Sequence, residues 1–212
     1  MPKATQRRVG VPRLPKRKSG PWSEYARGRG VGAREQRGSL FGIVLDANVY
    51  IDAVGNDNLS VLGDPLGFEG IPSLPPRQVH PSLHVLGVIR DGGITGNGYT
   101  LEVSEHILAM IDHTLLRAGW PEPDVDTYID LICDLAELSG GSYHPEVPRT
   151  QHDCEDPEDN LILDLAAFTD AAIIVSNDSD LLILGRRNGW RGRIIISPDD
   201  FTKRAEVATR RK

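Results

Sequence analysis

Apolar residues along the chain fall into short runs separated by longer stretches with helical spacing. The runs lie at 41–46, 99–103, 171–176 and 193–197, and each is only five or six residues long and contains β-branched residues. Short runs of this composition are typical of strands, and the first, FGIVLD, suits a strand buried on both faces of a sheet. We therefore expect four strands spread along the chain.

The stretches between and after these runs predict helices. Ser104 is suited to cap one of them, glycines end three of them, and a proline opens the last. A turn-rich insertion follows the first strand at 55–79. Strands separated by helices predict a central, mainly parallel sheet with helices on both faces, which is a three-layer α/β/α fold. The predicted helices are 81–93, 105–119, 123–141, 156–170 and 198–211.

Aspartates stand at the points where this architecture binds ligands. In open parallel sheets the binding crevice lies outside the carboxyl ends of the strands. Asp46 ends the first strand, Asp178 and Asp180 follow the third strand, and Asp156 and Asp159 open the helix that precedes it. We expect these three acidic spots to converge on one crevice.

Carboxylates crowded into one crevice repel each other unless a cation neutralises them, and their hard oxygen atoms select Mg²⁺ or Mn²⁺. The joint placement of Asp46, Asp159 and Asp178 favours a site for one or two such ions. Asp156 also fits the role of a helix cap. Three other aspartates are interpreted as cap or turn residues: Asp52, Asp164 and Asp170.

The distribution of charge divides the chain into an acidic body and two basic ends. The 212 residues carry a net charge of −6, yet residues 1–40 hold 11 Lys/Arg and 2 Asp/Glu, a net of +9, and 203–212 hold 5 and 1, a net of +4. The body, 41–202, keeps 8 and 27, a net of −19, and has no lysine. We expect a basic, disordered extension at 1–40, one domain over 41–202, and a basic end of the last helix or tail at 203–212. The extension is either a phosphate-binding arm or a passive tail.

The sequence has no run near the about 18 consecutive apolar residues of a membrane span, and no signal peptide is recognised. We therefore expect a cytoplasmic protein. The two cysteines, Cys133 and Cys154, lie outside any CxxC pair, which favours reduced thiols. A zinc site would need His144 and His152 in addition.

Two segments together carry a family resemblance. FGIVLDANVYIDA (41–53), followed by DCEDPEDNLILDLAAFTDAAIIVSNDSDLL (153–182), resembles the PIN domain, a metal-dependent ribonuclease fold that includes the VapC-type toxins of toxin–antitoxin pairs. The second segment is the more specific, because of its D-P-x-D-N start and its S-x-D-x-D-L finish. The resemblance extends over about 41–201.

The resemblance implies a set of site residues and a reaction. The reaction is hydrolysis of RNA phosphodiesters, in which Mg²⁺ or Mn²⁺ lowers the pKa of a bound water and neutralises the developing charge. The partners that it implies are RNA, an antitoxin protein and a second copy of the chain. The implied metal ligands are Asp46, Asp159 and Asp178, with Asp180 as a further acid. The positions that organise the site through hydrogen bonds are Asn48 and Ser176.

One position departs from the family pattern. The family has an acid at the sixth residue of the helix that follows the second strand, and here that residue is Met110. A thioether is a poor ligand for a hard cation. Helical spacing puts His106 and His113 on the same face as Met110, so His106 is a candidate substitute ligand, or all three residues merely pack or face water.

Two other function classes compete with the nuclease. A strand ending in Asp and a later D-x-D also suggest a haloacid-dehalogenase-like phosphatase, but Asn48 replaces that class's second acid, and the body has no lysine to hold a phosphoryl group. The stronger alternative is a catalytically impaired PIN module that binds RNA or a protein partner. Metal-dependent RNA cleavage separates the two interpretations.

Overall fold

The computed structural model describes residues 40–55, 80–95, 98–186 and 189–209. These residues form a five-stranded sheet with helices between the strands. The strands are β1 (Phe41–Leu45), β2 (Tyr99–Ser104), β3 (Ser142–His144), β4 (Ile173–Val175) and β5 (Ile194–Ile196). The helices are α1 (Ala47–Val54), α2 (Pro81–Thr95), α3 (Glu105–Arg117), α4 (Glu122–Ser139), α5 (Pro157–Phe168), α6 (Ser179–Gly185) and α7 (Pro198–Thr209).

All neighbouring strands are parallel, in the order β3-β2-β1-β4-β5. The central strand β1 pairs with β2 on one side and with β4 on the other, and its residues Ile43, Val44 and Leu45 have no exposed surface. Burial on both faces explains why this strand is a continuous apolar run. The chain leaves β1 for β2 on one side and returns later to β4 on the other, so the carboxyl end of β1 lies at a switch in strand order. The prediction of a three-layer α/β/α fold is confirmed.

Local sequence signals fix several helix ends. The Ser104 hydroxyl accepts a hydrogen bond from the Ile107 amide at the start of α3. Asp156 caps α5 by accepting a hydrogen bond from the Glu158 amide, and a proline follows it at the first helical position. Gly140 ends α4 with φ of 80°, a left-handed conformation that glycine adopts without steric cost. The cap at Asp156 fixes where α5 begins, and therefore puts Asp159 in the first turn of that helix.

Three elements differ from the predictions. The sequence pattern predicts no helix directly after Asp46, no strand at 142–144 and no helix at 179–185, where the structure has α1, β3 and α6. The helix predicted to stop at glycines 92 and 93 continues to Thr95. Residues 1–39, 56–79 and 210–212, which include the predicted extension and most of the insertion, lie outside the described residues. Within the described part of the chain, we find no helix of the length and apolarity needed to cross a membrane.

Candidate metal centre

Ser176 links the ends of the two central strands through hydrogen bonds. Its hydroxyl donates to Oδ2 of Asp46 over 2.6 Å and accepts from the Asp178 amide over 2.8 Å. Ser176 is completely buried, and Asp46 is 3% exposed. Because β1 and β4 are adjacent and parallel, one small hydroxyl spans the distance between their carboxyl ends. Ser176 therefore sets the position of one carboxylate and of the turn that carries another.

Three carboxylates lie together at this edge of the sheet. One oxygen from each of Asp159, Asp178 and Asp180 can be chosen so that all three lie within 4.8 Å of one another. We call these residues the acid cluster. Asp159 comes from the first turn of α5, Asp178 caps α6, and Asp180 follows in the first turn of α6. Two different helix starts thus direct acids into one place.

The acid cluster is electrostatically unfavourable without a cation. Burial, and then the charges of Asp178, Asp156, Asp46 and Asp180, raise the pKa of Asp159 to about 7. No hydrogen bond to the Asp159 carboxylate is found within the part of the chain that the structure describes. A buried carboxylate among other carboxylates is in an environment that a divalent cation would relieve. Hard oxygen donors of this kind fit Mg²⁺ or Mn²⁺.

Asp46 stands beside the acid cluster but is not one of its three members. Burial raises the pKa of Asp46, the hydrogen bond from Ser176 partly offsets that rise, and the charge of Asp178 adds to it. The side-chain amide of Asn48 lies 3.5 Å from the same Oδ2, at the limit of a hydrogen bond. Asp46 is therefore within electrostatic range of the cluster and held chiefly by Ser176.

Asn160 has a structural role that the sequence analysis did not assign. Its side chain accepts from the Cys154 amide over 3.0 Å and donates to the Cys154 carbonyl over 2.8 Å and to the Asp156 carbonyl over 3.0 Å. These bonds fix the loop before α5 against the turn that bears Asp159. Burial, and the negative charges of Asp159 and its neighbours, raise the pKa of the Cys154 thiol to about 12. The D-N pair in the second family segment was the available signal for Asn160.

The aspartates interpreted as structural have partners that are not members of the acid cluster. Asp164, 2% exposed, accepts hydrogen bonds from the Thr150 amide, the Thr150 hydroxyl and the Gln151 amide over 2.7, 3.0 and 2.8 Å. Asp52 accepts from the side chain of Asn177 over 2.6 Å, which ties α1 to the turn before Asp178. The remaining residue of this type, Asp170, pairs with Arg193 over 2.9 Å.

The structure does not group the candidate substitute ligand on α3 with the acids. Burial and then the charge of Arg149 lower the pKa of His106, and no carboxylate contributes to that shift. His106 does not join the acid cluster, Met110 is half-buried, and His113 is exposed. The structure therefore brings Asp159, Asp178 and Asp180 together, with Asp46 beside them, and places His106 in different surroundings. Of the two histidines that a zinc site would need, His144 pairs with Glu102 over 2.7 Å.

Comparison with known proteins identifies the family to which this site belongs. The family model described as PIN domain matches residues 42–180. That range covers β1 to the start of α6 and includes Asp46, Asp159, Asp178 and Asp180. No curated protein matches the chain. PIN domains are generally nucleases and usually use divalent metals. Because the match covers well over half of the sequence and the fold agrees with it, the chain belongs to the PIN domain family.

Proposed function

We propose that this protein is a Mg²⁺- or Mn²⁺-dependent endoribonuclease. The observation that supports the proposal most strongly is the acid cluster, in which three carboxylates gather at the carboxyl edge of a parallel sheet. Burial and then the neighbouring negative charges raise the pKa of Asp159 there to about 7. Crowding of ionised carboxylates destabilises the folded protein unless a cation is bound. The same edge is where open parallel sheets bind their ligands.

Asp159, Asp178 and Asp180 would hold the ion, and Asp46 would add a fourth carboxylate next to them. When bound, the ion would lower the pKa of a water and neutralise the charge that develops on a phosphodiester. Ser176 keeps Asp46 and the Asp178 turn in register. Asn160 fixes the start of α5, so that Asp159 reaches the site from a rigid support.

RNA is the proposed substrate, on the strength of the family and of the two basic ends of the chain. The resemblance to VapC-type proteins further suggests the toxin of a toxin–antitoxin pair, with an antitoxin and a second copy of the chain as partners. Expression of the intact protein and of Asp159→Asn in a bacterial host tests this role. Growth arrest by the intact protein alone is expected, and equal growth of both strains would contradict it.

Cleavage of mixed RNAs tests the nuclease directly. We expect the full chain to cleave with Mn²⁺ or Mg²⁺ and not in chelator, and we expect Asp159→Asn to be inactive. Asp164→Asn is the matched control, because it removes a charge from the same helix away from the site. Cleavage that continues in chelator would contradict the proposal.

Met110 favours a second candidate, a PIN module that binds RNA without cleaving it. Met110→Glu separates the two, because it would place a hard ligand where the family has one. We expect this variant to bind Mn²⁺ more tightly than the parent protein. Activity that appears only in Met110→Glu would support the impaired module.

A further inference from the structure

Two consecutive residues of the turn after β4 hold α1 at two separate points. Ser176 donates a hydrogen bond to Asp46, the residue at the start of α1, over 2.6 Å. Asn177 donates through Nδ2 to Oδ2 of Asp52 over 2.6 Å. Asp52 follows Asp46 by six residues, which corresponds to roughly 9 Å along the axis of a helix. The turn is therefore attached to α1 at its start and near its end.

The second attachment is needed because the backbone pairing stops before it. The last backbone hydrogen bond between β1 and β4 runs from the Asp46 amide to the Val175 carbonyl over 2.9 Å. Among the residues that the structure describes, we find no hydrogen bond of Asn177 other than the one to Asp52. The bond from Ser176 alone would leave α1 and the turn free to pivot about one point. A second bond roughly 9 Å away along α1 removes that freedom.

The residue held by Asp52 stands directly before the acid cluster. Asp178 follows Asn177 in the chain and accepts a hydrogen bond from the Asp180 amide over 2.7 Å, which caps α6. A shift of Asn177 would therefore move two of the three members of the acid cluster together. The third member, Asp159, belongs to a different helix and would not follow. The bond between Asp52 and Asn177 thus acts on the spacing of the three carboxylates.

This bond contributes little to the stability of the fold. Asn177 is exposed and Asp52 is half-buried, so water competes for both groups. Asp52 is also not a member of the acid cluster. A divalent cation is more sensitive than the fold to this bond, because Mg²⁺ requires its oxygen ligands at about 2.0–2.1 Å in a near-ideal arrangement.

We propose that Asp52 and Asn177 are positioning residues that set the geometry with which the acid cluster binds its cation. This inference rests on the proposed function and adds to it a pair of residues outside the carboxylates themselves. Asp52 acts through its acceptor oxygen, and Asn177 transmits the position of α1 to Asp178. Groups that orient metal ligands in this way contribute to metal affinity without touching the ion.

The test is titration of Mn²⁺ into the full chain, followed by isothermal titration calorimetry. We expect Asp52→Ala and Asn177→Ala each to raise the Kd for Mn²⁺ about five- to tenfold, because each removes the same hydrogen bond. The double variant should bind Mn²⁺ no more weakly than either single variant, since the bond can be lost only once. Effects that add in the double variant would overturn the proposal, because the two residues would then act independently.

Asp52→Asn is the matched control. It removes the negative charge but keeps an oxygen that can accept the hydrogen bond from Asn177. We expect its Kd for Mn²⁺ to stay within about twofold of that of the parent protein. A Kd raised as much as in Asp52→Ala would show that the charge of Asp52 attracts the cation, and would overturn the positioning role.

Melting temperatures in chelator separate positioning from a general structural role. Asp52→Ala should melt within about 2 °C of the parent protein, because an exposed hydrogen bond contributes little to the free energy of unfolding. A large fall in melting temperature together with an unchanged Kd for Mn²⁺ would overturn the proposal, since the pair would then support the fold and not the site.

The same titrations distinguish this inference from the proposed function. A parent protein that binds Mn²⁺, with an unchanged Kd in all variants, supports the cation site and contradicts the positioning pair. The predicted pattern of Kd values in a protein that cleaves no RNA supports the pair and contradicts the nuclease. A parent protein that binds no Mn²⁺ contradicts both.

Discussion

Asp159 and Asp164 are two buried aspartates on one helix, five residues apart, in opposite environments. Asp164 in the middle of α5 accepts three hydrogen bonds from the loop that passes over it. Asp159 in the first turn faces other carboxylates, and its pKa is raised to about 7. Burial of a charge is thus compatible with two different purposes. Where donors surround the carboxylate the purpose is structural, and where further carboxylates surround it the arrangement suits the binding of a cation.

Substitution of Asp159 should have the largest effect of any single change, and that effect should be a loss of activity without a loss of stability. Asp159→Asn is expected to reduce metal-dependent RNA cleavage by more than about 100-fold, since even residues that only support metal ligands typically contribute about 10- to 100-fold. Asp164→Asn should retain cleavage within about threefold under conditions where it is folded. Initial rates on one RNA at saturating Mn²⁺ provide the measurement. Similar losses of cleavage activity in both variants would contradict the different roles assigned to the two aspartates.

Replacement of Ser176 tests whether the hydroxyl organises the acids. Ser176→Ala removes the 2.6 Å hydrogen bond to Asp46 and the acceptor for the Asp178 amide. We expect cleavage to fall about 10- to 100-fold, and the concentration of Mn²⁺ needed for half-maximal rate to rise. Asn48→Ala is the control, because its 3.5 Å contact to the same oxygen is weak, and its effect should stay within about threefold. Equal effects of the two changes would show that Ser176 is not the organising group.

The two substitutions should affect stability in the opposite order to activity, with Asp164→Asn the more destabilising. Asp164→Asn is expected to lower the free energy of unfolding by about 1–2 kcal/mol, because a charged acceptor of three hydrogen bonds becomes neutral. Asp159→Asn in chelator should be at least as stable as the parent protein, because it removes a charge that other carboxylates repel. Urea unfolding in chelator measures both values. A clear loss of stability in Asp159→Asn would mean that Asp159 is a structural residue.

The smallest expected effect is on the pH dependence of stability. The folded pKa of Asp159 lies above its unfolded value, so the folded protein binds more protons between about pH 4 and about pH 7. In chelator, this group therefore makes the protein less stable as the pH rises through that window, and its contribution levels off above it. Asp159→Asn should flatten the decline, which melting temperatures at a series of pH values would reveal. An identical pH profile for both proteins would contradict the raised pKa.

The elements that could be predicted from the sequence are those with a strong local signal. β1 was recognisable because FGIVL is a continuous apolar run whose last three residues are buried, and α5 because Asp156 and Pro157 mark its start. β3 is only three residues long, Ser142–His144, and it is a strand because it pairs with β2 and not because of its own composition. α1 begins directly after Asp46 with the β-branched and aromatic residues of ANVYIDAV, which locally suit a strand as well as a helix.

In the candidate site, too, some features could be predicted from the sequence and others could not. Asp159, Asp178 and Asp180 could be placed near one another because strand ends and helix starts are readable from sequence, and because the family segments contain them. The hydrogen-bond partners of Asn160, Asp164 and Asn177 could not be predicted, since each depends on a loop whose path is set by tertiary contacts. The surroundings of His106 were equally hidden. Helical spacing placed it on the face of Met110, but only the structure shows that it lies outside the acid cluster and that its Nε2 is buried without a hydrogen-bond partner among the described residues.

The central claim is that the acid cluster is a divalent cation site, and the response of the melting temperature to Mn²⁺ tests it most directly. At concentrations above its Kd, a cation that binds only the folded state raises the free energy of unfolding in proportion to the logarithm of the cation concentration. We predict such a rise for the parent protein and for Asp164→Asn, and a flat response for Asp159→Asn. An equal rise in Asp159→Asn and the parent, or no rise in the parent, would contradict the claim.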